Sequence, residues 1–335
     1  MAVKCALRSG FYDMARKDPA MSLSASSVKA TPAASRARTV WLHRALLVAT
    51  WLLMVWGAAT RAARAGLACP DWPLCHGRVI PPVEAAFYPR EEAYAVYRVY
   101  LEFVHRVLAG AVSLGTLVLG IALLRRGRAR EAWVLGAVLG AQVLAGGATV
   151  LLRNAPYTVV IHLALALTFL AALTHAGRYV QEPVSPPTDL PRAHLALGAL
   201  IVVQMLVGAK VSSSLYGLAC YQFPLCNGSF LPIEWTAPVA WQMLHRALGV
   251  SVFGGACALY AAALYHESPA HDRRGAAVLI ALVSAQVLLG AINVWTQVPP
   301  VASAAHLGLA VWVYLHVARR VFAAGPSVER FRTAV

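Results

Sequence analysis

The chain has 335 residues, of which 59% are hydrophobic and 13% charged, and its formal net charge is +15. That is too apolar for an ordinary water-soluble domain, whose apolar share is about one half. The positive balance does not mark a nucleic-acid binder either, because the basic residues concentrate in alternate connections between long apolar runs.

Apolar runs of about 20 residues, the length that crosses a hydrocarbon core, recur along the chain. In order they lie near Trp41 to Thr60, Phe103 to Leu124, Ala132 to Leu152, Val159 to Arg178, Ala193 to Val211, Val239 to Leu264, Ala276 to Trp295 and Pro300 to His316. The expected fold is all-α: a polytopic membrane protein of eight transmembrane helices. Basic residues from Lys4 to Arg44 precede or open the first span. Arg125, Arg126, Arg128 and Arg130 fill the second connection, Arg178 and Arg192 flank the fourth, and Arg273 and Arg274 mark the sixth. Arg319, Arg320, Arg330 and Arg332 follow the last span. By the positive-inside rule both termini are cytoplasmic and the odd-numbered connections face outward. The first outward connection carries Arg61, Arg64, Arg78 and Arg90 as well, accompanied by Asp71, Glu84, Glu91 and Glu92. Residues 1–38 are rich in Ser, Ala and Arg and lack the long apolar core of a cleaved secretory signal. They are expected to form a disordered cytoplasmic tail. Asp13 and Asp18 argue against a mitochondrial presequence, so a bacterial inner membrane is the expected location.

The sequence repeats internally. Adding 151 to a position carries His43 onto His194, Gly57-Ala58 onto Gly208-Ala209, Gly66-Leu67-Ala68-Cys69 onto Gly217-Leu218-Ala219-Cys220, and Pro73-Leu74-Cys75 onto Pro224-Leu225-Cys226. The offset becomes 140 for His105-Arg106 and His245-Arg246, then 144 for Ala141-Gln142-Val143-Leu144 and Ala285-Gln286-Val287-Leu288, and for His162 and His306. The expected organisation is two pseudo-symmetric four-helix bundles, residues 39–180 and 191–320, joined by a cytoplasmic linker at 181–190 and followed by a tail at 321–335. Four spans is an even number, so both halves enter from the same side as parallel repeats.

Four histidines sit inside expected spans and obey the repeat: His105, His162, His245 and His306. Each lies within about two turns of the outer end of an even-numbered helix, at 1.5 Å rise per residue. His105 can therefore face His162, and His245 can face His306. Paired imidazoles on opposing helices of a bundle are a usual way to hold a haem by both axial positions. The alternative is that each histidine hydrogen-bonds a neighbouring helix. Zinc, which takes three or four ligands, fits less well with two per half. No Cys-x-x-Cys-His occurs, which excludes covalent c-type attachment. His43 and His194 read as structural residues at the cytoplasmic edge. His175, His316, His266, His271 and His76 read as solvated or interfacial.

The halves differ one turn before the first histidine. "LEFVHR" places Glu102 three residues ahead of His105, whereas "WQMLHR" places Gln242 at the equivalent position. A carboxylate can accept a proton or stabilise positive charge and an amide cannot, so the first site reads as reactive and the second as passive. The alternative for Glu102 is an interfacial carboxylate paired with Arg98 or Arg106. Arg106 and Arg246 read as partners of haem propionates or as snorkelling cations.

Taken together, the eight spans in two halves, Glu102-x-x-His105, His162, His245, His306 and the two cysteine loops ending at Gly77 and Gly228 resemble the haem A synthase family, from about His43 to His316. The resemblance implies oxidation of a methyl group of haem O, through hydroxylated stages, to the formyl group of haem A for cytochrome oxidase. It implies that His105 and His162 embrace the substrate haem, haem O or product haem A, that His245 and His306 hold a haem b relaying electrons, and that Glu102 assists the oxidation. It further implies a haem O synthase as the source of substrate, an electron acceptor or donor outside the chain, and contact with membrane lipid. The sequence leaves open whether copies of the chain associate into a homo-oligomer, and nucleic acid is not an expected partner.

Outward loops are oxidising territory, so Cys69 with Cys75 and Cys220 with Cys226 are expected to form short-loop disulfides. A staple shaping the lid over each haem pocket is preferred to redox traffic, which needs a strained or exposed bond. Two other functions compete. A di-haem electron carrier passing quinol electrons explains the histidines but not the Glu102/Gln242 asymmetry. A thiol-disulfide oxidoreductase explains the cysteines and leaves the histidines incidental.

Overall fold

The structure is a computed structural model that describes residues 33–91, 94–180 and 188–323. Eight α-helices are long and apolar enough to cross a membrane: α1 (Ala33–Ala62), α2 (Val96–Leu124), α3 (Ala129–Leu151), α4 (Pro156–Val180), α5 (Pro191–Ser213), α6 (Ala237–Tyr265), α7 (Ala270–Trp295) and α8 (Pro300–Ala323). The chain is a multi-pass integral membrane protein. A helix pairs all its backbone groups within one segment, which is why apolar runs in lipid adopt it. Proline stands at or beside the first position of α4, α5, α6 and α8, where a missing N–H costs nothing.

Most helices outrun the apolar windows read from the sequence. The excess that bears on the site is at α2, which begins seven residues before Phe103 and so takes in Arg98 and Glu102. Hydropathy registers the hydrocarbon-facing length, whereas the polar turn at the helix end is held by loop contacts. α1 begins at Ala33, inside the expected tail, and α8 continues to Ala323. The rest of the N-terminal tail, most of the 181–190 linker and the C-terminal tail from 324 onward lie outside the described residues.

Helices of each half pack in a ring: α1 with α2, α2 with α3, α3 with α4 and α4 with α1; then α5 with α6, α6 with α7, α7 with α8 and α8 with α5. The halves meet through α1 on α8, α4 on α5 and α4 on α8. One buried cluster fills the first half, with Leu46, Leu119, Leu123, Leu135, Phe169 and Leu173 at its centre. A second runs through the other half and into the junction, where Met54 and Leu167 join Ile201, Leu279 and Val311. Two hydrogen bonds fasten the junction inside lipid: Trp51 Nε1–H donates to Gly308 O at 2.9 Å and Tyr314 O–H to Leu167 O at 3.1 Å. Trp51 and Val55 can approach α8 because residue 308 is glycine, and a Cβ there would lie 2.9 Å from Val55.

Candidate functional site

All four even-numbered helices start at the end of the bundle that carries the cysteine loops, and each places its repeated histidine within about 14 Å of that start at 1.5 Å per residue. The ring centroids of His245 and His306 are 6.4 Å apart with planes at 70°. Two metal–imidazole bonds of about 2 Å plus the ring radii add to about 6 Å, so the separation of these rings matches that of two imidazoles sharing one metal ion. His105 lies within electrostatic range of His162 in the first half.

What lets the imidazoles lie here was missed in the sequence: each faces a glycine on the preceding odd-numbered helix. A Cβ at Gly57 would come 2.9 Å from Cε1 of His105, at Gly146 3.1 Å from His162, at Gly208 2.8 Å from His245, and at Gly290 3.0 Å from His306. Any side chain at these positions would occupy the space the ring uses. Gly57 and Gly208 were visible as a repeated pair, yet spacing alone could not say what filled the gap.

The ring nitrogens do not behave as ordinary structural histidines. Nδ1 of His105, His162 and His245 is buried without a hydrogen bond of normal geometry, although the Gln142 and Gln204 backbones lie near His162 and His245. Only His306 has a close amide partner: Gln286 Nε2 lies 3.2 Å from Nδ1 and 3.3 Å from Nε2 and donates to the His306 carbonyl at 3.0 Å. Gln142 reaches His162 only at 3.5 Å. Buried polar nitrogens left without partners are costly in lipid. A haem between facing imidazoles would fit these donor sets, because its iron would take one nitrogen from each ring.

Above each histidine pair sits a cysteine loop, and the two loops are built on one plan. Cys69 bonds Cys75 and Cys220 bonds Cys226. In the first loop the Cys69 N–H donates to Glu102 Oε2 at 2.8 Å, and in the second the Cys220 N–H donates to Gln242 Oε1 at 3.1 Å. Glu102 and Gln242 are each only 4% exposed. Arg106 donates to the carbonyls of Asp71 at 2.7 Å, Cys69 at 3.1 Å and Leu74, and Arg246 to those of Gln222 at 2.7 Å, Cys220 at 3.2 Å and Leu225 at 2.9 Å. Neither sequence reading of these arginines, as partners of haem propionates or as snorkelling cations, named these loop carbonyls. Each guanidinium is consumed by its own loop, since a planar fork of five donors matches convergent carbonyls.

Glu102 also forms an ion pair with Arg106 at 2.6 Å, one of the two alternatives weighed for it from the sequence. The carboxylate thus stands at the base of the lid, one helical turn before His105, with one oxygen on the loop backbone and the other on the guanidinium. Gln242 makes the loop contact and uses its Nε2 to reach Gly217 O at 2.8 Å. The asymmetry is one of charge within a shared geometry.

His76 is not simply solvated. Its Nε2–H donates to Ala68 O at 2.8 Å and its ring lies edge-on to Tyr88, Tyr94 and Phe87. Asp71 accepts the N–H groups of His76 at 2.6 Å and Gly77 at 2.8 Å. Burial pushes the Asp71 carboxyl up, but those N–H donors and the nearby Arg106 charge outweigh it and hold it below the usual carboxylate range. At the opposite end of the bundle His43 and His316 hold helix carbonyls, Leu173 O at 2.9 Å and Gly275 O at 2.8 Å, in structural roles. His194 does the same with Leu190 O at 2.9 Å.

The Cytochrome oxidase assembly protein family COX15-CtaA matches residues 39–318. The Heme A synthase of Shewanella oneidensis is 27% identical over 314 residues, covering 82% of this chain and 93% of that protein. The Heme A synthase of Geobacillus thermodenitrificans is 29% identical over 86% of this chain and 96% of its own length, and that of Sphingopyxis alaskensis 28% identical over 88% and 90%. With the family match spanning all eight helices and both cysteine loops, the chain belongs to the COX15-CtaA family of cytochrome oxidase assembly proteins.

Proposed function

We propose that this protein is a haem A synthase, oxidising a methyl group of haem O to the formyl group of haem A for cytochrome oxidase. The observation that carries this reading is the repeated pairing of imidazoles beneath two like lids, with a carboxylate under only one of them. His105 and His162 hold the substrate haem in the half comprising residues 39–180, and His245 and His306 hold a resident haem b in the half comprising residues 191–320. The resident haem supplies one-electron redox chemistry when bound. Both termini are cytoplasmic and the cysteine loops face outward, so the two haems lie at similar depth near the outer surface. That common depth disfavours a carrier moving electrons from one leaflet to the other.

The protein's own groups act in three ways. The glycine-backed imidazoles fix the two macrocycles in the bundle. The loops, clamped by Arg106 and Arg246 and stapled by their disulfides, cover the sites and limit water. Glu102 is positioned to take a proton near the oxidised carbon or to stabilise positive charge there. Haem O comes from a haem O synthase, and the electrons of the oxidation are exchanged with an acceptor or donor outside the chain.

Haem extraction with mass analysis from cells with and without the gene tests the reading. A formyl-bearing porphyrin that appears only with the gene is the expected result. Identical porphyrins in both would overturn it.

A further inference from the structure

The two cysteine loops differ in a systematic way once their hydrogen bonds are aligned by the repeat. Asp71 corresponds to Gln222, His76 to Asn227, and Glu102 to Gln242. Each of these three ionisable residues is matched in the second half by a neutral amide in a similar structural role. The Gly77 N–H donates to Asp71, and the Gly228 N–H to Gln222 Oε1 at 2.8 Å. His76 donates to Ala68 O, and Asn227 Nδ2 donates to Ala219 O at 2.9 Å. The Cys69 N–H donates to Glu102, and the Cys220 N–H to Gln242. The scaffold therefore does not require the charges, because the second loop is built without them.

In the first loop these bonds meet on one peptide. His76 holds the carbonyl of the Ala68–Cys69 peptide, and Glu102 holds its N–H. Hydrogen bonds in series polarise one another, and a charged donor forms bonds roughly twice as strong as a neutral one. A positive imidazole pulling on the carbonyl makes the Cys69 N–H a better donor to the carboxylate. We propose that His76 is a pH-responsive positioning residue for Glu102, acting through the single peptide that both of them hydrogen-bond. This rests on the haem A synthase reading and adds to it a residue that tunes the reactive half.

The His76 side chain is half-buried and reachable by water. Asp71, held as a carboxylate, binds its backbone N–H, and Glu102 lies across the peptide. The opposing charges are Arg106, committed to the loop carbonyls and Glu102, and Arg78, which stacks on Phe87 at 5.0 Å. Tyr88 and Tyr94 complete the ring's walls. Burial, Tyr100 and Glu84 push the Tyr88 hydroxyl up, so it stays neutral where imidazoles titrate.

The test is His76→Asn, the residue the second loop already uses, in purified full-length protein. The rate of haem O oxidation is followed from about pH 5.5 to 8.5, the range in which imidazoles change charge. With Glu102 acting as carboxylate, the variant should match the unmodified protein at the alkaline end and run about fivefold slower near pH 6, equivalent to about 1 kcal/mol. Haem content and the Cys69–Cys75 bond should be unchanged. Asn227→His in the second loop should leave the pH profile as it was. Asp71→Asn, a second route to the same coupling, should shift the acidic limb in the same direction by less. A rate ratio for His76→Asn that does not vary with pH would overturn the proposal, as would a shift produced equally by Asn227→His. If the unmodified protein makes no formyl porphyrin, the functional reading fails instead, and the two failures are thereby separated.

Discussion

The first and second cysteine loops share a disulfide at the same spacing, an arginine clamp on the same three carbonyls, and a side chain from the even-numbered helix on the same N–H. They differ in ionisation: Asp71, His76 and Glu102 against Gln222, Asn227 and Gln242. A duplicated scaffold thus separates what holds the fold from what does chemistry. Shared features explain how each loop is held, and the unshared charges lie in the half to which the proposed function assigns the chemistry.

The histidines below the loops are the deepest shared feature, and breaking them should have the largest effect. His306→Ala removes one imidazole of the 6.4 Å pair and should cost the protein most of its b-type haem while leaving the first site loaded, measured by pyridine haemochrome. His162→Ala should do the reverse and deplete haem O and haem A. Loss of both haems from either variant would show that the halves are not separate sites.

The glycines test the comparison more finely. Gly208→Ala puts a Cβ 2.8 Å from the imidazole, closer than side chains tolerate, so the ring must tilt, and Gly290→Ala puts one at 3.0 Å, where the ring must give by a few tenths of an ångström. A cost of about 1 to 3 kcal/mol is expected for overpacking, read as weaker haem retention and an altered low-spin EPR signal. Gly254→Ala lies in α6 with nothing within 4 Å and should leave both unchanged. Equal spectra for all three would mean that the glycines merely permit helix contact.

Smaller effects come from the loops themselves. Cys220→Ser opens a loop of six-residue separation and should lower thermal stability by about 2 kcal/mol on loop-closure entropy, with haem retained. The smallest concerns Asp71. Its carboxyl is held below the ordinary range in the folded loop, so its contribution is full above the unfolded value and is lost as pH falls through the folded one. The protection factors of the His76 and Gly77 amides, taken against the intrinsic exchange rate at each pH, should therefore be high at neutral pH and fall in acid. The second loop, with Gln222 in place of Asp71, should show no such transition.

Much of this was legible from residues alone. The eight spans stood out because lipid demands a long apolar run for each crossing, and the repeat exposed the four histidines because each recurred at a fixed offset. Glu102 was visible as the one residue of its motif that changed charge between halves. The hold of Arg106 on the loop carbonyls was not, since a side chain that folds back on a loop gives no periodic signal. Nor was that of His76, whose carbonyl partner depends on the loop's backbone path and not on spacing. The glycines behind the imidazoles were hidden for a related reason: a residue that works by lacking a side chain reads as background until the ring beside it has a position.

The most direct measurement of the central claim is the porphyrin content of purified Glu102→Gln, which gives the first half the amide that the second half carries at Gln242. Full haem b, bound haem O and no formyl-bearing porphyrin are predicted, with the Cys69–Cys75 lid intact. Haem A at the level of the unmodified protein would contradict the assignment of chemistry to the charged half.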